Sequence, residues 1–309
     1  MKIKSLVLVI FISFISLFAS SDIKVQKENS PVVEPIISLP SGHFFENLTF
    51  LNDKEIIATD YTGMSLYKYK EGVGSSLFSK VDGHPVSIRF DDKGIGLLSV
   101  HHISILKGES FVNSMALYKV TSKGELTLLK TLDFPAFLNG MAVLDDGKFL
   151  IADALNGKIY KFDIETKELT TWFDNNILKP DPKRAGLPGV NGIQIYENTL
   201  YLTNSAKKLL AKIDIKDKKA TSYEVLNKTI QADDFLIDEN RNWYITTHHD
   251  EILKYTNKKE IITLLNSGVE GNTAILKSKY LKDTFYITND GGLLFGSKQN
   301  AGLSKVKFK

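Results

Sequence analysis

Six polar residues stand at the heads of short apolar runs spread along the chain: Glu46, His84, Asn139, Asn191, Asp233 and Asn272. Each lies two positions before an apolar or small residue, namely Leu48, Val86, Met141, Ile193, Phe235 and Ala274. Glu46, Asn139, Asn191 and Asp233 offer oxygen ligands only, provided that both amides turn their carbonyls toward a common point. Two carboxylates with two neutral amides suit a hard divalent cation, with water or substrate filling its remaining positions. Calcium is the ion this set favours, because amide oxygens and flexible geometry suit the larger cation; Zn2+, Mn2+ and Mg2+ are the other candidates. Each residue alone is more often a turn or capping residue. Their shared position is what carries the reading.

Other residues could assist. A neutral imidazole at His84 could act as general base on a water; the plainer reading is a turn residue ahead of Pro85. Asp234, one residue out of register, is a candidate further ligand or a support for one. His101-His102 and His248-His249 look like metal doublets, but neighbours on a strand point to opposite faces and cannot readily chelate one ion together. They are expected at the surface or at strand ends, with one of His248 and His249 near the pocket. Asp60, Asp153, Asn204 and Asn289 recur at the ends of second strands, where side-chain hydrogen bonds would fix the following turns. Nucleophile-elbow, phosphate-loop and zinc-spacing motifs are absent from the sequence.

The elements that must position these residues are short strands. Runs rich in Val, Ile, Tyr, Phe and Thr alternate with Asp, Asn, Gly and Lys clusters, with no long amphipathic helix. Units beginning at Phe45, Gly83, Phe137, Gly189, Ala232 and Gly271 each read as strand, turn, strand, turn, strand. Their spacing of about 40 to 50 residues is that of a four-stranded propeller blade. The fold class is therefore all-β, a six-bladed β-propeller over residues 41–309. Apolar runs such as "FLIAD" and "LYLTN" fit sheets buried on both faces. First strands line a propeller's channel, so the six polar residues would converge at one end of it. The C-terminal "AGLSKVKFK" would pair with the lead-in around Val32 to Ile37, or complete the last blade.

Residues 1–21 read as a secretory signal: Lys2 and Lys4, an apolar run from Ser5 to Phe18, then small Ala19, Ser20 and Ser21. The run is too short for a comfortable membrane span. An exported protein, periplasmic or secreted, without stable membrane insertion after cleavage, is the expectation. Residues 22–40 carry three of the eight prolines and read as an extended segment. The net charge of +3, from 39 basic and 36 acidic residues, gives no case for nucleic acid; the expected partner is a small-molecule substrate. The absence of cysteine excludes disulfides, thiolate metal sites and a Cys nucleophile.

The segments "FENLTF", "FLNGMAVLDDGKFLIADALNGKIYKFD", "GVNGIQIYENTLYLTNS", "ADDFLIDENRNWYITTH" and "GNTAILKSKYLKDTFYITNDGG" span most of residues 45–292. Together they resemble the SMP-30/gluconolactonase/LRE-like family. That family is a branch of the calcium-dependent phosphotriesterase superfamily, with the paraoxonases and diisopropyl-fluorophosphatase. The resemblance implies a metal ion at the top of the channel, held by Glu46, Asn139, Asn191 and Asp233. It also implies hydrolysis of lactones, aryl esters or organophosphates, with the ion as Lewis acid and Asp233 as base or nucleophile. His84 falls where paraoxonases place a channel histidine. Two features depart from the family pattern. Many members open the first blade with Glu-Gly-Pro, where this chain has Glu46, Asn47 and Leu48. Phe137 replaces the arginine that sugar-lactonase members carry two residues before the third-blade asparagine, which implies a more apolar pocket; Asn272 is the other residue expected to line it. The function expected is an exported, metal-dependent lactonase or esterase. The alternatives are an organophosphate or aryl esterase using the same site, and a non-catalytic propeller that binds a ligand or protein around a structural calcium.

Overall fold

The computed structural model describes residues 31–107, 114–184 and 186–308; the expected signal at residues 1–21 lies outside them. The described residues form six four-stranded antiparallel sheets, the six-bladed β-propeller that the repeats imply. Blades 1 to 5 span residues 45–80, 84–131, 138–174, 190–227 and 235–265. Blade 6 takes three strands from residues 272–307 and its outermost strand, Val32–Leu39, from the start of the described chain. That strand pairs with Ala301–Lys307 from Val32 opposite Lys307 to Leu39 opposite Ala301, which closes the ring. Among the described residues no helix is long and apolar enough to cross a membrane.

The core lies between the blades. In "KFLIAD" of blade 3, Phe149 and Ile151 pack toward blade 2 with Leu97 and Leu117, while Leu150 and Ala152 pack toward blade 4 with Leu200 and Leu202. Alternate side chains of a strand face opposite ways, so a strand sandwiched between two neighbours must be apolar at every position. Fully burying one such Leu or Phe contributes about 1.5–3 kcal/mol.

The inner strands share an irregularity. Pairing with the second strand skips two residues between Phe45 and Leu48, Pro85 and Ile88, Leu138 and Met141, Val190 and Ile193, and Asn272 and Ile275. In blade 5 the backbone of Asp233 and Asp234 brackets Thr246 just before the strand Phe235–Ile237. Bulges bend a strand and re-aim its side chains. Here they turn Glu46, Asn139 and Asn191 toward the channel.

Hydroxyls on the second strands fill the gaps and tie each blade to the next. Thr59 donates to the Val86 carbonyl at 3.1 Å, Ser99 to Leu138 at 3.1 Å, Thr203 to Asp233 at 2.9 Å and Thr246 to Thr273 at 2.7 Å. At the sixth junction Thr273 Oγ1 donates to the Phe45 carbonyl at 2.6 Å and meets Thr288 Oγ1 at 2.9 Å. Between blades 3 and 4, Ala152 lacks a hydroxyl and Gly140 takes over. A Cβ at Gly140 would sit 2.0 Å from the Asn191 carbonyl oxygen, so only glycine permits this approach.

Candidate metal centre and substrate pocket

The heads of four inner strands meet around a cavity of about 170 Å³ lined by Glu46, Asn139, Asn191 and Asp233. All four are buried. Asn139 Nδ2 donates to Glu46 Oε1 at 3.3 Å. Asn191 Nδ2 donates to Asp233 Oδ1 at 2.5 Å and to Ser205 Oγ at 3.0 Å. Ser205 in turn donates to the Ala232 carbonyl at 2.7 Å. The outer carboxylate oxygens are Glu46 Oε2 and Asp233 Oδ2. Both are buried with no hydrogen-bond partner among the described residues.

Two carboxylates converging in one buried cavity fit a cation. Glu46 Oε2 meets no hydrogen-bond partner and Asp233 Oδ2 faces only the His248 ring among the described residues, and buried anionic oxygens are costly unless something positive meets them. The amides fit as well. Their nitrogens now face the carboxylates, and a half-turn of the terminal torsion would present oxygen instead. The set depends on those amides: among the described residues no three His, Asp or Glu side chains are grouped to hold an ion. In this metal-free arrangement, burial and then the Asp233 charge push the Glu46 carboxyl up to about 8.

His248 completes the polar wall. It follows the second strand of blade 5 in the left-handed conformation, φ 59°, which costs a non-glycine residue roughly 1–2 kcal/mol. Its Nδ1 lies 2.9 Å from Asp233 Oδ2, an ion-pair contact without hydrogen-bond direction. Its Nε2 lies 3.2 Å from Asp290 Oδ2. Burial opposes its charge, yet the two carboxylates hold its pKa well above the usual histidine value. Asp290 is itself buried and accepts the backbone N–H groups of Gly292, Leu293 and Leu294. His248 and Asp290 come from turns that follow second strands. The sequence led to the expectation of one of His248 and His249 near the pocket, which His248 meets, and offered for Asp290 only an Asp-Gly-Gly.

Of the remaining expected residues, Phe137 lines the cavity and the others fall elsewhere. Counted from the bulges, the equivalents of Glu46 in blades 2 and 6 are Val86 and Thr273, so His84 sits two residues early and Asn272 one. A one-residue slip sends a strand side chain to the opposite face. Asn272 is accordingly fully buried beside the backbone, accepting from Thr247 N–H at 2.8 Å and donating to the His249 carbonyl at 2.5 Å. It does not line the cavity, contrary to the expectation for it. His84 Nδ1 lies 2.8 Å from the Tyr61 carbonyl, and its ring stacks on Tyr61 at 4.7 Å; it too is absent from the cavity wall. Asp234 points away toward Arg89, 3.8 Å from Nη2, and burial raises its carboxyl to about 6 despite that cation. Phe137 does line the cavity. Of the doublets, His101 is fully buried against Phe137, at a ring distance of 5.0 Å, rather than exposed. His249 is exposed and stacks on Phe295. Asp60, Asp153, Asn204 and Asn289 accept backbone N–H groups of the turns they precede.

Solved structures share this architecture. A luciferin-regenerating enzyme superposes with a TM-score of 0.68 at 16% identity, covering 90% of this chain and 95% of that one. The fold is that of the SMP-30/gluconolactonase-like propellers. A gluconolactonase from Xanthomonas campestris matches with a TM-score of 0.65 at 11% identity, over 90% of this chain and 89% of its own. Regucalcin from Agrobacterium tumefaciens, described as a calcium-binding protein, gives 0.63 at 13%, over 90% and 95%. No protein-family profile and no curated protein sequence matches the chain. Identities this low in the SMP-30/gluconolactonase-like propellers speak for the shared fold; the chemistry rests on the residues at the channel mouth.

Proposed function

We propose that this propeller is an exported hydrolase of lactones or related esters that depends on a divalent cation, calcium above others. One observation carries the reading: Glu46, Asn139, Asn191 and Asp233 converge on one cavity, where Glu46 Oε2 is buried without a hydrogen-bond partner among the described residues and Asp233 Oδ2 faces His248. The similarity to a gluconolactonase and to a calcium-binding regucalcin supports it. These four side chains would hold the cation, which would polarise the substrate carbonyl as a Lewis acid. His248 faces Asp233 Oδ2, so the Asp233 carboxylate would be presented in one orientation as the base or nucleophile once Asn191 has turned its oxygen to the cation. Phe44 and Phe137 on the cavity wall exclude water around it.

The test uses mature protein. Calorimetry should show calcium binding, and Glu46→Gln and Asp233→Asn should each weaken it at least tenfold. Lactones, aryl esters and phosphotriesters should then be assayed with calcium and with a chelator. Hydrolysis that the chelator abolishes is expected. Failure to bind any divalent cation would overturn the site; bound calcium without turnover of any class would make the cation structural. Export rests on residues 1–21, and the N-terminal mass of protein recovered outside the cytoplasm tests it.

A further inference from the structure

Beyond the four candidate ligands, Phe44, Ile105, Phe137, Leu187, Leu294 and Phe295 make the apolar part of the cavity wall, and Ser205, Gln231, Thr247 and His248 the polar part. Most of these polar groups already have partners: His248 meets Asp233 and Asp290, and Ser205 donates to the Ala232 carbonyl. Gln231 Oε1 accepts from Arg184 Nη2 at 2.5 Å, and Thr247 Oγ1 donates to the Glu251 carbonyl at 3.0 Å. Arg184, the nearest guanidinium in these contacts, also donates to the Ser205 and Ala206 carbonyls. No lysine or arginine lines the cavity among the described residues. A polyhydroxylated lactone would bury hydroxyls here with few partners, at a cost for each.

One stretch of this wall differs from the rest. The turn Leu293–Phe295 lies between Gly292 and Gly296, both left-handed at φ 73° and 79°. Leu294 is 46% exposed and Phe295 59% exposed, although both border the cavity. Phe295 rests on His249 at 4.4 Å and meets His248 edge-on at 6.1 Å. Asp290 anchors the turn through backbone N–H groups and also contacts His248 Nε2. The apolar surface at the mouth is therefore tied to the residue that faces Asp233. A volume of about 170 Å³ is small for a ligand site. A small substrate ring would fill it, and Leu294 and Phe295 are the exposed large apolar side chains on its wall across which a substituent would run.

We propose that the ester or lactone this site takes carries an extended alkyl or aryl substituent, and that Leu294 and Phe295 set that preference by covering it. The proposal rests on the hydrolase reading above. Burying a methylene is worth about 0.8 kcal/mol, so a few carbons against the turn amount to a preference of tenfold or more.

The experiment compares γ-butyrolactone, its hexyl-substituted homologue γ-decalactone and gluconolactone as substrates of the calcium-loaded protein. Calorimetric binding of pyrrolidinone and its hexyl-substituted analogue, lactams that resist hydrolysis, is measured alongside. The expected result is a kcat/KM for γ-decalactone at least tenfold above both other lactones, and tighter binding of the hexyl lactam by a similar factor. Phe295→Ala and Leu294→Ser should each cut that preference at least fivefold. Turnover of gluconolactone or γ-butyrolactone without preference for the alkyl lactone would overturn this inference and leave the hydrolase reading standing. Selective binding of the hexyl lactam with no turnover of any ester would do the reverse. Equal or absent binding of the two lactams would overturn the inference whatever the turnover.

Discussion

At Glu46, burial and the neighbouring Asp233 charge keep the proton on the carboxyl up to a pH of about 8 in the metal-free protein. The unfolded chain releases that proton near the ordinary value of 4.5. Between these values the folded state binds more protons than the unfolded, so metal-free stability should fall as pH rises, by up to about 1.4 kcal/mol per unit. Calcium competes with the same proton, so its affinity should rise across that window and level off above it. Melting in chelator at several values from pH 5 to 8, repeated with calcium, checks both. Stability that climbs with pH in chelator would contradict the assignment, and Glu46→Gln should flatten the slope. Asp290 tests the other side of the site. Asp290→Asn keeps one backbone acceptor but disturbs the contact to His248, and turnover should drop by roughly 10- to 100-fold, the usual size for a partner one step from the metal; unchanged turnover would leave Asp290 as a turn anchor. That Glu46, Asn139, Asn191 and Asp233 would converge was legible in the sequence because they recur at strand heads. Of the doublet, one of His248 and His249 was expected near the pocket and His248 lines it, but its contact with Asp233 and the role of Asp290 were not legible, because turns place them and no spacing repeats.

Among the elements, the recurring bulge decides which side chains reach the channel. Sequence alignment on the first apolar residue served where the two bulged positions were polar followed by small or polar, as at Asn139-Gly140 and Asn191-Gly192. It slipped where the bulged residues were themselves apolar or small, Val86-Ser87 and Thr273-Ala274, and so credited His84 and Asn272 with a register they lack. The hydroxyl belt was hidden for another reason: Thr59, Ser99, Thr203, Thr246 and Thr288 look like ordinary strand threonines and serines until their partners across the blade junction are known. Thr203→Val should remove the donor to the Asp233 carbonyl and cost about 1–2 kcal/mol. It should also weaken calcium binding, because the Asp233 carbonyl loses one of its two donors and keeps only Gly192 N–H. Gly140→Ala should be worse, since its Cβ would meet a backbone oxygen at 2.0 Å. Denaturant melts and calcium titrations of the two variants separate the effects; a Gly140→Ala protein as stable as the parent would show that the junction can spread.

For the whole molecule, six repeats made the propeller legible, while closure of the ring was left between two arrangements for the C-terminal strand. Both hold at once: Ala301–Lys307 is the third strand of blade 6, and Val32–Leu39 covers its outer edge. The sequence was ambiguous there because Val32–Leu39 carries two sequence features of opposite meaning, apolar strand formers and Pro35. The structure reconciles them by putting Pro35 in an outermost strand next to a register shift, where a missing N–H costs no ladder bond. Closure is tight, since a Cβ at Gly302 would lie 1.8 Å from the Ile37 carbonyl oxygen. Ile37 itself is buried with Phe45, Leu48, Tyr286 and Leu303, at the junction of blades 6 and 1. Glu46 stands next to Phe45 on the first strand of blade 1, so the clasp packs against the strand that carries one of the cavity carboxylates. Ile37→Ala should therefore cost about 2–5 kcal/mol. Deleting residues 31–39 should do more: it bares the edge of Ala301–Lys307, and an unpaired edge invites another chain to pair with it. Self-association by size-exclusion chromatography, with weaker calcium binding in whatever monomer remains, is the expected outcome. A deleted protein that stays monomeric and binds calcium as before would mean that five and three-quarter blades hold the ring without the clasp.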